Sequence, residues 1–236
     1  MLKIVNWNCN GALRKKLDYV LSFDADIYII QECENPNLTN DSVYKQFANN
    51  HLWIGNNKNK GLGIFAKENV LIEKLNWSSM YNDHQVNYFL PFSINKELNI
   101  VGVWAHQNNS PTFGYIGQVW KFLQTNSEYL KDSSFIGDFN SNTIWDVWDR
   151  WWNHSDVVSI LEQFNCISLY HYLNKCKQGE EIDKTFYLQK NDKKGYHIDY
   201  AFLPERFINN VTHFSIDLFD NVKQYSDHCP MIIQFK

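Results

Sequence analysis

The run Ile27-Tyr28-Ile29-Ile30 is apolar at every position, so a strand built from it must be covered on both faces. It stops on Gln31-Glu32. A second run, Phe135-Ile136, stops in the same way on Gly137-Asp138-Phe139-Asn140. Strands buried on both sides need other layers above and below them, which restricts the chain to a layered sandwich of helices and sheets. Polar residues delivered at the ends of such strands gather along one rim of the sheet, where a rigid frame can hold a site.

The rest of the chain supplies the layers. Leu2 and Ile4 lead a first strand into Asn6-Trp7-Asn8, and Leu13, Leu17, Val20 and Leu21 have the spacing of one helix face. Asp41 is expected to cap a helix with Val43, Tyr44 and Phe47 inward. Residues 51–104 read as a strand meander, with 52–54 and 61–65 flanking a polar turn and the runs 70–75, 88–94 and 98–104 following. It ends at Ala105-His106-Gln107. Ile116, Val119, Trp120, Leu123 and Leu130 predict a helix over 115–130, and Ser155 is expected to cap another that holds Val157, Val158, Leu161 and Phe164. A hairpin is expected from 185–188 and 196–203, and an exposed strand over 211–218. Met231–Phe235 closes the chain after the loop Ser226-Asp227-His228-Cys229-Pro230. Gly137 is expected to let the backbone approach whatever Asp138 and Asn140 serve.

Trp145, Trp148, Trp151 and Trp152 fall at spacings of three, three and one. The alternatives are a helical stripe facing the core and a platform for stacking bases. The core stripe is the expectation, with Trp148→Ala then costing about 3–5 kcal/mol of stability. Lys and Arg number 22 against 26 Asp and Glu, for a formal charge of -4, which excludes a strongly basic polyanion binder and leaves only local patches. Lysines cluster at 58–60, 175–177 and 190–194. The 5 cysteines show no C-x-x-C spacing and read as free thiols in a reducing compartment. There is no signal-like N-terminus and no apolar run near the roughly 20 residues of a membrane span, so a cytoplasmic protein without membrane contact is expected. No linker interrupts the chain, and residues 1–236 read as one domain.

The polar strand ends collect Asn8, Glu32, His106, Asp138, Asn140, Asp199, Asp227 and His228. Taken alone, Glu32 is either a cap or a cation ligand, and His106 is either a surface hydrogen-bonder or a catalyst. Together these groups suit one hard divalent cation and one phosphate oxyanion. Mg²⁺ takes oxygen ligands and keeps several waters, so one or two carboxylates suffice. In-line attack on a phosphodiester needs an oriented water, a metal on the phosphoryl oxygens and donors for the developing charge.

Five motifs in one order, spread over nearly the whole chain, resemble those of the endonuclease/exonuclease/phosphatase family, which includes the exonuclease III-like and DNase I-like enzymes. They are Trp7-Asn8, Gln31-Glu32, Gly137-Asp138-Phe139-Asn140, Asp199-Tyr200 and Ser226-Asp227-His228-Cys229-Pro230. The resemblance implies an α+β fold, a four-layer α/β/β/α sandwich with two central mixed β-sheets, and Mg²⁺-dependent hydrolysis of phosphoester bonds, with Mn²⁺ as a substitute. It implies that Glu32 binds the metal with Asn8 and Asp227 assisting, and that Asp138 orients or deprotonates the water. Asn140 would fix the scissile phosphate, and His228 would face it with its tautomer held by Asp199. His106 matches a phosphate-contacting position. Asn108, Tyr196, Lys193 and Lys194 are the candidate substrate contacts. The pattern departs at Asn10, where abasic-site enzymes usually carry Asp, at Cys33-Glu34 in place of a stretch with Lys, and at Tyr196-His197 in place of Trp-Arg. The expected activity is that of a nuclease acting on DNA or RNA, with flexible or single-stranded substrate favoured over intact duplex. The alternatives are a phosphomonoesterase or small-molecule phosphodiesterase using the same site, and a silent binding module, which would have lost a site residue; none is lost.

Overall fold

β1 (Leu2–Asn8) and β2 (Ile27–Cys33) form a parallel pair inside one sheet, with α1 (Leu17–Leu21) between them in sequence. After α2 (Ser42–Phe47), the strands β3 (His51–Asn57) and β4 (Lys60–Ala66) join the same sheet. The chain then crosses to a second sheet through β5 (Ile72–Lys74), makes a small ribbon of β6 (Met80–Tyr81) and β7 (His84–Gln85), and continues into β8 (Phe89–Ile94) and β9 (Leu98–Trp104). Next, α3 (Ile116–Thr125) leads to β10 (Ser133–Asp138), α4 (His154–Gln163) to β11 (Cys166–Ser168), and α5 (Leu169–Asn174) to the hairpin β12 (Phe186–Tyr187) and β13 (Gly195–Tyr196). β14 (Asp199–Pro204) completes the second sheet. After α6 (Glu205–Ile208), the strand β15 (Val211–Ile216), α7 (Phe219–Val222) and β16 (Met231–Phe235) return to the first. This is a computed structural model, and it describes residues 1–236.

The two sheets have six strands each, in the orders β15-β16-β1-β2-β4-β3 and β11-β14-β10-β9-β8-β5. Both are mixed: β1 and β2 are parallel, as are β9 and β10, and their other pairings are antiparallel. Alternation along β2 explains its apolar run. Ile27 and Ile29 belong to the core between the sheets, with Ile4 and Ile64 of their own sheet and Ile100 and Ile136 of the other. Tyr28 and Ile30 pack on the opposite face against Leu13, Leu17, Val20 and Tyr44. The outer face of the second sheet buries Val101, Val103 and Phe135 against Ile116, Val119 and Phe122 of α3 and Val157 and Leu161 of α4. Each such side chain contributes about 1.5–3 kcal/mol by leaving water. The outcome is the four-layer α+β sandwich expected. Where the sheets meet, a Cβ on Gly102 would lie 3.0 Å from Ile64 Cδ1, so that position leaves little room for a side chain.

Several expectations are corrected. Residues 13–21 are a 3₁₀ turn (Leu13–Lys15) followed by the short α1, and Leu21 is exposed. Asp41 does cap α2, with Oδ1 accepting from the Tyr44 N–H at 3.0 Å, but Val43 faces solvent because only the Tyr44 side of the helix meets the sheet. The meander is divided between the two sheets. The helix expected over 115–130 ends at Thr125 and continues as a 3₁₀ segment, Ser127–Asp132. α4 is capped by Asn153, whose backbone N–H donates to Asp156 Oδ2 at 2.7 Å, rather than by Ser155. The hairpin is only β12 with β13; from Asp199 the chain leaves it to pair with β10 and β11. A Cβ at Gly137 would fall 1.9 Å from the Val103 carbonyl oxygen, so the glycine permits a close approach to the neighbouring strand. The tryptophan run is not a helix and not core. Trp148 is 95% exposed, Trp151 65% and Trp145 43%; only Trp152 is buried. A helical spacing has no force where Asp146 and Asn153 tie the segment into turns, and the stability loss expected for Trp148→Ala is withdrawn with it.

Candidate active site

The ends of parallel strands and the starts of their antiparallel neighbours share a rim. β1 ends at Asn8 and β2 at Glu32-Cys33, while β10 ends at Asp138 opposite the first residue of β14, Asp199. β16 runs antiparallel to β1, which brings the preceding His228 to the same rim. Two contacts fix that last loop: the Trp7 indole donates to the His228 carbonyl at 2.9 Å, and the Ser226 hydroxyl donates to the Asn8 carbonyl at 2.7 Å. Trp7 and Ser226 are therefore anchors and not reactive groups.

At the centre, ligand atoms of Asp138, Asp199 and His228 lie within 4.8 Å of one another, and all three residues are buried. His228 Nδ1 is 2.9 Å from Asp199 Oδ2, and Nε2 is 4.0 Å from Asp138 Oδ2. Burial by itself would lower the imidazole's pKa, but the carboxylates of Asp199 and Asp138 outweigh it and hold the ring protonated. Burial raises the Asp138 carboxyl, with the His228 charge pulling it down and Asp199 adding to the rise. Asp138 is held by three donors. Its Oδ1 accepts from the Asn140 backbone at 2.8 Å, and its Oδ2 accepts from the side-chain amides of Asn140 and Asn8, both at 3.0 Å. Asn140 adopts a positive φ of 47°, and its amide also donates to the Ala105 carbonyl at 3.0 Å.

Asn8 links this group to Glu32, its amide lying 3.5 Å from Glu32 Oε1. Glu32 occupies a bulge. The pairing of β2 with β4 shifts between Gln31 and Cys33, and Glu32 takes φ 61°, a left-handed conformation that costs a non-glycine residue stability. The bulge turns one carboxylate out of a strand that is otherwise buried on both faces. Its Oε2 pairs with the Lys60 ammonium.

The other candidates divide. His106 sits one residue beyond Ala105, and its Nδ1 accepts the Asn108 backbone N–H at 3.1 Å, which leaves Nε2 to carry the proton of the neutral ring. Burial lowers its pKa, against the Asn108 hydrogen bond and the Glu32 charge. The Asn108 side chain turns away and donates to Gln118 at 3.1 Å. Asp227 Oδ1 lies 3.4 Å from the Ser226 hydroxyl oxygen, whose proton goes to the Asn8 carbonyl, and makes no hydrogen bond to Glu32 or Asn8. Phe186 of the β12–β13 hairpin packs its ring 4.7 Å from that of His228, and Tyr196 lies across from Phe186 in the register. Lys193 and Lys194 are exposed in the hairpin turn.

Residues that the sequence reading did not single out support this centre from behind. Thr185 Oγ1 accepts from the backbone of both Ile198 and Asp199, at 2.9 and 3.0 Å, while its carbonyl accepts from Cys229. Asn142 Nδ2 lies within 3.1 Å of Glu181, the His197 carbonyl and the Tyr200 hydroxyl, which share its two N–H groups, and Glu181 pairs with His171 at 2.9 Å. Asn142, two residues beyond Asn140, was the only local signal. Glu34 accepts from the Leu13 N–H at 2.7 Å and pairs with Arg14, so it braces the loop after β1.

The same shell makes the fold acid-sensitive. Burial depresses both His154 and His197 to about 4, and neither His154 ring nitrogen is hydrogen-bonded to protein. Below the ordinary histidine value of about 6.5, the unfolded chain binds protons that the folded chain refuses until about pH 4. Stability is therefore complete above that window and declines through it, by on the order of 3 kcal/mol per histidine. Replacing His154 by Phe is expected to shrink the fall in melting temperature between pH 7 and pH 5; an unchanged fall would place its source elsewhere.

No family model and no curated protein matches the chain in sequence. Solved structures do match in shape. A 3′ phosphatase, NExo, from Neisseria, bound to a product DNA hairpin, aligns over 100% of both chains at TM-score 0.69 and 17% identity. An AP endonuclease from Archaeoglobus fulgidus aligns over 100% of both at TM-score 0.74 and 15% identity. AP endonuclease LMAP from Leishmania major matches all of this chain and 87% of its own, at TM-score 0.67 and 13% identity. At these identities the likeness is one of architecture. This chain has the fold shared by those AP endonucleases and the Neisseria 3′ phosphatase.

Proposed function

We propose that this protein is a divalent-cation-dependent hydrolase of phosphodiester bonds in nucleic acid. The observation that carries the reading is the buried row of Asp138, His228 and Asp199, with the imidazole 4.0 Å from one carboxylate and 2.9 Å from the other. It stands beside the Asn8–Glu32 contact, on the fold of enzymes whose structures include one with a DNA product.

The donor set fits a hard cation. Glu32 offers a carboxylate turned outward by its bulge, and its pairing with Lys60 shows that a positive charge is accommodated there. Glu32 would hold the ion, with Asn8 and Asp227 assisting; Mg²⁺ is the expected occupant, and Mn²⁺ shares its preference for oxygen ligands. Bound there, such an ion polarises a phosphoryl oxygen and offsets charge developing on it. Asp138, fixed by its three donors, orients the attacking water and takes its proton. His228, kept protonated between two carboxylates, presents Nε2–H to the phosphate and is a stabiliser, not a base. Asp199 sets its tautomer. His106 donates from Nε2, and Asn140 fixes the phosphate beside it by giving up one of the two acceptors, Asp138 and the Ala105 carbonyl, that its amide holds without substrate. Lys193 and Lys194 contact flanking phosphates, and Tyr196 contacts the substrate from the same hairpin. Asn108 acts only through its hydrogen bond to His106. The free and mostly buried cysteines suit a reducing, cytoplasmic setting, and no helix is long and apolar enough to cross a membrane.

Removal of a terminal phosphate from a nucleic-acid end is the second reading, favoured by the likeness to the Neisseria 3′ phosphatase. A cleavage panel of single-stranded, duplex and abasic DNA, RNA, 3′-phosphorylated ends and small phosphoesters, with Mg²⁺ and with chelator, separates the two. Internal cleavage of a polymer, lost in chelator, is the expected result. Turnover confined to small phosphoesters and insensitive to salt would replace the reading with that of a phosphatase.

A further inference from the structure

The tryptophan segment that the core does not use is presented to solvent by a built loop. Trp148 and Trp151 are 95% and 65% exposed, and Ile144 and Val147 beside them are also exposed. Such a row of apolar groups in water marks a contact surface. The loop that carries it is tied down at four points by one residue. Asn153 Oδ1 accepts from the Val147 backbone and from Arg150 Nε, and Asn153 Nδ2 donates to the carbonyls of Val147 and Arg150, all between 2.7 and 3.0 Å. Asp146 is committed to the start of α4, where it accepts from the backbone of His154 and Ser155. The backbone that carries the indoles is thus pre-organised, and little loop ordering is left for a partner to impose.

Position names the partner. A groove of about 240 Å³ runs from Trp145 and Arg150, along Tyr115, to Asn140 and Ser141. It therefore opens directly on a residue of the catalytic rim. The Trp145 ring lies 5.1 Å from that of Tyr196, and Phe186, across from Tyr196 in the hairpin, packs on His228. An aromatic wall thus leads from the catalytic imidazole to the exposed loop. At its outer end the Arg150 guanidinium lies over the face of Trp152, 4.3 Å from the ring centroid, and brings a positive charge to the groove.

Resting on the hydrolase reading, we propose that Trp145, Trp148 and Trp151 form a stacking platform for unpaired bases next to the scissile phosphate, so that the substrate is a single strand or a frayed end. A strand with one phosphate at Asn140 has its neighbouring nucleoside in the groove. Indole faces reach a base only when it is not already stacked inside a duplex. A membrane contact fits less well, because the chain is net negative and the loop that carries Trp148 and Trp151 lines the groove at both of its ends, through Trp145 and through Arg150 and Trp152.

The test uses the full chain with Trp148→Ala, Trp151→Ala, the double variant and Trp148→Phe. Binding of a fluorescein-labelled oligothymidylate of about 12 nucleotides is read in chelator, so that nothing is cleaved. The ratio of kcat/KM on that oligomer to kcat/KM on bis(p-nitrophenyl) phosphate is read with Mg²⁺. Expected are a loss of about tenfold in oligomer affinity per indole removed, a matching fall in the ratio, recovery with Phe, and an unchanged melting temperature. Equal oligomer binding by all variants overturns the platform, as does failure of the wild-type chain to bind the oligomer. Loss of binding to anionic lipid vesicles with unchanged oligomer binding would assign the loop to a membrane instead. The binding arm is independent of turnover. A wild-type chain that binds through its tryptophans but cleaves nothing with Mg²⁺ upholds the platform and removes the hydrolase reading.

Discussion

Asp138→Asn is expected to lower kcat on a nucleic-acid substrate by about 10²–10⁴-fold with little change in KM. The carboxylate is fully buried and held by three donors, so no other oxygen can take its place beside the imidazole. An amide cannot accept the water's proton, and its NH₂ must face one of the donors on Asn8 or Asn140. That mismatch costs about 1–3 kcal/mol of stability, so a melting curve accompanies the kinetics to show that the fold survives. Asp199→Asn is expected to do less, because its carbonyl oxygen still accepts from His228 Nδ1. A variant at Asp138 that keeps activity within about tenfold of wild type would move the base to another residue.

Chelation is expected to abolish turnover, and Glu32→Ala to lower it by orders of magnitude while raising the Mg²⁺ concentration that half-restores it. Glu32 is the one carboxylate of the rim that the fold turns out by a backbone bulge. Its pairing with Lys60 is half-exposed and contributes at most about 1 kcal/mol, so the substitution should leave the melting temperature nearly unchanged. A Mg²⁺ titration of the two chains reads both effects. Full activity in excess chelator would remove the metal from the mechanism.

Much of this was legible in the sequence, for a physical reason. β2 and β10 are buried on both faces, and their uninterrupted apolar residues made the polar residues after them conspicuous. Glu32, Asp138 and Asn140 stand out that way, Asn8, Asp199 and His228 come from polar stretches beside other strands, and the structure brings all six to one rim. The tryptophan run misled because helical spacing was read where Asp146 and Asn153 impose turns; side-chain hydrogen bonds to backbone override periodicity. The support from Thr185, Glu181 and His171 carries no sequence signal, and that from Asn142 only its nearness to Asn140, for another reason. Those contacts join residues far apart in sequence, such as Asn142 and Glu181, and carry no local pattern.

Half of the proposed catalytic rim hangs from each sheet. Asn8, Glu32 and His228 belong to the first, while Asp138, Asn140 and Asp199 belong to the second. The Asn8–Asp138 and His228–Asp199 hydrogen bonds are therefore stitches across a seam, and the seam closes only when the two sheets lie in one particular alignment. Catalysis then gauges how the layers stack. A change deep between them, at Gly102 or Ile64 where a single methyl group has little room, can misalign the seam without touching a reactive atom. Such a lesion would present as an enzyme defect in a chain whose every catalytic side chain is intact.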